Sequence, residues 1–71
     1  MIILTQTNYL NDAIDYYEKE NGCSPYLFMN KETIKICGGY LNLSMSDSFL
    51  SHDGCRVFEN NSLDFLEVEL R

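Results

Sequence analysis

His52, Asp53, Gly54 and Cys55 put an imidazole, a carboxylate and a thiol within four consecutive residues, and His52 is the only histidine of the chain. Such a set could hold a metal ion or pair a thiol nucleophile with a base. A structural zinc needs four ligands, usually as two closely spaced pairs, and the remaining Cys23 and Cys37 offer no matching pair. A Cys–His nucleophile needs a cleft with oxyanion donors, and no family signature for one surrounds these residues. The expectation is an Asp-Gly turn with Cys55 as a small buried apolar residue, no metal and no catalytic site.

Carboxylates are the next candidates. Asp12 with Asp15, and Glu67 with Glu69, are close pairs, but acid–base catalysis needs two carboxyls held in different environments of one pocket. These pairs fall on the polar sides of amphipathic segments, where solvation is their ordinary role. Their excess points to binding instead. Eleven Asp and Glu oppose five Lys and Arg in 71 residues, a formal charge of −6. That balance disfavours nucleic acid and anionic membrane, which need Lys and Arg to replace counterions, and favours a basic protein surface. Five Tyr accompany the acids, and Tyr gives large contact area at low entropic cost; Tyr16 lies at the rim of an apolar stripe, beside Asp12 and Asp15. Gly38 and Gly39 lack the Lys and following helix of a phosphate loop, and no cofactor is expected.

The elements that must carry these residues belong to one small domain spanning residues 1–71. A chain this short buries only about 60% of its unfolded surface, yet 45% hydrophobic and 13% aromatic residues are too many for a disordered acidic tail. Residues 1–4 are an apolar run, either a buried strand or an arm on the core. Residues 7–20 form an amphipathic helix: Leu10, Ala13, Ile14 and Tyr17 recur on one face, Asp12, Asp15, Glu18 and Lys19 on the other. Thr7 or Asn8 caps it and Gly22 stops it. Pro25 restarts the chain as a strand over residues 26–29. Lys31–Cys37 reads either as a short helix capped by Asn30 or, with Leu41, Leu43 and Met45 beyond Gly38 and Gly39, as a hairpin. Residues 44–54 read as a long polar loop, and Cys55–Glu59 with residues 64–70 as a C-terminal β-hairpin with one acidic face. The fold class is α+β: one N-terminal helix on a small, mainly antiparallel sheet.

Three cysteines cannot all pair within one chain, and the first residues lack the basic region and long apolar run of a signal peptide. The expected location is a reducing cytoplasm.

Pro25 through Tyr26, Leu27, Phe28, Met29, Asn30, Lys31, Glu32 and Thr33, then Gly54, Cys55, Arg56 and Val57, and finally Leu66, Glu67, Val68, Glu69 and Leu70, form a pattern that resembles segments of tailed-phage major capsid proteins and small phage proteins. The resemblance implies a strand, an Asn-capped short helix and a final pair of strands, and so prefers helix at Lys31–Cys37. The chain is much shorter than a capsid subunit and lacks its long arm and backbone helix.

The functional expectation is a non-enzymatic phage or mobile-element protein that inhibits a host or defence protein, as anti-CRISPR and DNA-mimicking inhibitors do. Its contact residues would be Asp12, Asp15, Tyr16, Glu18, Glu59, Asp64, Glu67 and Glu69. The alternative is a virion or assembly component that forms homo-oligomers through residues 1–4 and a sheet edge.

Overall fold

The computed structural model describes residues 2–5, 8–37, 43–46 and 49–71. Eight elements follow in chain order: β1 (Ile2–Leu4), α1 (Leu10–Asn21), β2 (Leu27–Met29), α2 (Lys31–Cys37), β3 (Ser44–Ser46), β4 (Phe49–His52), β5 (Cys55–Glu59) and β6 (Val68–Leu70). The strands make one sheet in the order β1-β6-β2-β5-β4-β3. Only the β2–β5 pair is parallel; the other neighbours run antiparallel. The α+β class and the mainly antiparallel sheet agree with the sequence reading.

Strand alternation sorts the sheet into two faces. Leu27 opposes both Val57 and Leu70, and Leu4 opposes Val68, so these side chains share one face. Leu10 and Ile14 of α1, one turn apart, cover that face, and both are 1% exposed. Each buried aliphatic chain contributes about 1.5–3 kcal/mol of burial. Ile34 of α2 packs on the same cluster, so both helices lie on one side, and among the described residues no element covers the other face.

Helix α1 starts later than its sequence suggests. Tyr9 is the N-cap and makes no side-chain cap, while its carbonyl accepts the Ala13 amide at 2.9 Å; Thr7 lies outside the described residues. The predicted stop is present, because Gly22 is left-handed (φ 72°) and its amide reaches the Glu18 carbonyl at 2.8 Å. Asn30 Oδ1 accepts the Thr33 amide at 2.7 Å, which caps α2 and decides helix over hairpin at Lys31–Cys37. Gly38, Gly39 and Leu41 of the hairpin alternative lie outside the described residues.

Two expectations are overturned. The polar stretch 44–54 is not a long loop: its described parts form β3 and β4, with Met45 opposite Leu50 and Leu50 opposite Val57. Asp53 and Gly54 have φ of 52° and 81°, the two positive values of a two-residue hairpin turn that matches strand twist. The C-terminal hairpin also fails. β5 and β6 are both strands, but β2 stands between them, parallel to β5 and antiparallel to β6. The eight residues between them instead form a tied-down crossing: the Asn60 amide bonds the Met29 carbonyl at 2.8 Å, and Leu66, at φ 67°, donates its amide to the buried Thr33 hydroxyl at 2.9 Å.

Gly54 tests the β4–β5 turn. A Cβ there would meet nothing within 4 Å, so the cost of Gly54→Ala is backbone strain alone. We expect a loss of about 1 kcal/mol in urea unfolding; an unchanged midpoint would contradict the turn.

Candidate functional site

Three- and four-residue spacing places Asp12, Asp15, Tyr16 and Lys19 on one side of α1, with Glu18 at its edge one turn from Asp15, and the five line an open depression. Asp12 and Asp15 are exposed, and Tyr16 is 58% exposed. Glu18 is half-buried and accepts the Ser24 hydroxyl at 2.7 Å, which ties the end of α1 to the segment that follows. Four of the eight expected contact residues are therefore brought together.

The other four do not join them. Glu59 Oε2 accepts the Asn61 side-chain amide at 2.6 Å, and Asn61 Oδ1 in turn accepts the Lys31 amide at 2.9 Å at the start of α2. Glu67 Oε1 accepts the Asp64 amide at 2.8 Å and closes the turn before β6. Glu59, Asp64 and Glu67 thus border the start of α2 and the crossing segment, and none lines the α1 depression.

Glu69 is a correction. Expected on an exposed acidic face, it is 4% exposed, because it lies on the open face of the sheet between Ile3 and Phe28 and under Arg71. Arg71 donates to it twice, Nε to Oε2 at 3.0 Å and Nη2 to Oε1 at 3.2 Å. That hydrogen bond and charge hold the Arg71 guanidinium above its usual pKa. A carboxylate so paired is not offered to a partner.

His52 and Cys55 face each other across the β4–β5 hairpin, on the helix side of the sheet. His52 Nε2 lies 2.9 Å from Asn11 Oδ1 of α1, and His52 Nδ1 is buried with no partner among the described residues. Burial, then the Glu18 and Asp53 carboxylates, push the Cys55 thiol above its usual pKa. This is the opposite of an activated nucleophile, whose thiolate must be favoured. Among the described residues no group of His, Cys, Asp and Glu could hold a metal ion. Cys23 and Cys55 are free thiols, one exposed and one buried.

The open face holds the residues that the sequence reading passed over. Phe28 of β2 and Phe58 of β5 stack with ring centroids 5.3 Å apart, and Tyr26 meets Phe58 edge-on at 5.6 Å. Arg56 lies over both Phe49 and Phe58, at 4.7 and 5.2 Å, and Arg71 lies over Phe28 at 4.4 Å. The signal was Tyr26 with Phe28, and Arg56 with Phe58, at two-residue spacing. Read with Leu27 and Met29 as one apolar run, it suggested only burial.

No family model, curated protein or solved structure matches this chain. Among the described residues no helix is long and apolar enough to cross a membrane.

Two measurements check this chemistry. Asn11→Ala removes the one polar contact that the described residues give a buried imidazole, and we expect a loss of about 1–3 kcal/mol in urea unfolding; a neutral result would mean that His52 is satisfied elsewhere. Because a raised pKa leaves less thiolate, iodoacetamide at pH 8 should alkylate Cys23 in the folded protein and spare Cys55 until urea is added. Equal rates at the two sites would contradict the burial of Cys55.

Proposed function

We propose that this protein is a non-enzymatic binder that covers a basic, nucleic-acid-binding surface of a host or defence protein, in the manner of a DNA-mimicking or anti-CRISPR inhibitor. The observation that carries the reading is that Asp12, Asp15 and Glu18, three acids against the one base Lys19, line a single depression of α1 with exposed Tyr16. Residues three apart on a helix advance about 4.5 Å along its axis. One strand of duplex DNA carries a charge about every 3.4 Å. A row of carboxylates at comparable density, around a large half-apolar ring, suits a surface of Lys and Arg that normally meets phosphate.

Glu59, Asp64 and Glu67 add to the field of the molecule rather than to this contact. The net charge of −6 would speed encounter with a cationic partner.

The reading is tested by competition. A panel of nucleic-acid-binding proteins is screened for loss of DNA binding as the chain is added, and affinity for any hit is measured between low and high salt. We expect about a tenfold fall over that range, and a comparable fall for Asp12→Ser combined with Asp15→Ser. Affinity indifferent to both salt and substitution would remove the electrostatic mechanism.

The alternative, a self-assembling structural component, is favoured by one feature. β1 ends the sheet order, its outer edge faces no strand among the described residues, and Ile3 is 49% exposed. Light scattering after size exclusion separates the readings: a monomer at high concentration counts against assembly.

A further inference from the structure

We propose that the open face of the sheet is a second binding surface, which takes a polypeptide segment carrying one carboxylate beside an aromatic or large apolar side chain. The surface lies on the opposite side of the sheet from α1, so the proposal does not rest on the acidic-helix reading.

Charge complementarity identifies the occupant. The chain has two arginines, and both sit on this face. Arg71 is engaged by Glu69. Arg56 has no carboxylate within ion-pair reach among the described residues, although acids outnumber bases more than two to one. Its guanidinium is instead laid over the Phe49 and Phe58 rings. Rings beneath the plane remove water from one side and limit its rotamers, while among the described residues the N–H edge meets no carboxylate. A planar fork fixed in this way is prepared for a carboxylate.

The neighbours supply the apolar half of the site. Tyr26, 55% exposed, stands edge-on to Phe58, and the half-buried Phe28 stacks on Phe58 from the adjacent strand. An exposed ion pair adds little by itself, so contact with these rings must provide most of the affinity, as aromatic and Arg anchors do at protein interfaces.

The same geometry argues against single-stranded nucleic acid. Stacking of bases needs free ring faces, but Phe28 is bracketed by Phe58 from the β5 side and by Arg71 from the β6 side. A polyphosphate would also meet one guanidinium without a carboxylate among the described residues, against a net charge of −6. A single carboxylate in an otherwise apolar segment fits that count.

The experiment is selection of a displayed random heptapeptide library on the immobilised chain, followed by anisotropy titration of the enriched peptides. We expect enriched sequences to share one Asp or Glu next to an aromatic or large aliphatic residue. Their affinity should fall about tenfold when that acid becomes its amide and again for Arg56→Gln, while Asp12→Ser with Asp15→Ser leaves it unchanged. Arg56→Lys, which keeps the charge and loses the planar fork, should bind with intermediate affinity. Urea midpoints of the variants within error of the parent show that they are folded. The proposal is overturned by peptides without an acid, by affinity indifferent to Arg56, by tighter binding of an oligothymidylate that depends on Arg56, or by occlusion of the face in a self-associated form.

Discussion

The position of β2 between β5 and β6 is the constraint on which the rest of the structure depends. Leu27 and Met29 are fully buried, and the strand is paired on both edges, parallel to β5 and antiparallel to β6. A parallel neighbour cannot follow through a tight turn, so the chain must leave β2, cross over through α2, β3 and β4, and return. The last strand then passes over the far ends of β2 and β5 to reach the other edge. That passage explains why Asn30, Asn60 and Asn61 make so many backbone bonds there, and why Leu66 is held at positive φ by a buried threonine.

One consequence is that helices cover only one face. The other must tolerate water while carrying side chains from β1, β6, β2, β5 and β4. The chain solves this by laying guanidinium planes over aromatic rings and burying one carboxylate under an arginine. The acids follow a similar division. Glu18, Glu59, Glu67 and Glu69 each accept a hydrogen bond within the chain, whereas Asp12 and Asp15 stand exposed on α1. The surface offered to a partner is accordingly smaller than the charge count implies, and it lies opposite a face of contrary sign.

Sequence reading was most successful where short-range physics decides. The apolar stripe of Leu10, Ile14 and Tyr17 fixed the buried side of α1, and Gly22 its end. Asn30 offered a cap for α2, but the β-branched residues that follow left a hairpin equally open. Asp53 with Gly54 spell a turn, yet the strand before them reads as loop because Ser51 and His52 are polar. Leu50 packs on the core and Phe49 under Arg56, which anchors β4, and His52 is buried where Asn11 of α1 meets its ring.

By itself the sequence determined the class of the fold, one amphipathic helix with its stop and the acidic side of α1, whereas Lys31–Cys37 stood between helix and hairpin until the Asn30 cap decided it. Those follow from periodicity, capping and turn chemistry within a few residues. Only the tertiary structure decided that β5 and β6 are separated by β2, that Glu69 is buried beneath Arg71, and that Phe28, Phe49, Arg56 and Phe58 share an uncovered face. Each depends on which distant strands become neighbours, and strand pairing is set by the fit of the whole core rather than by any local pattern.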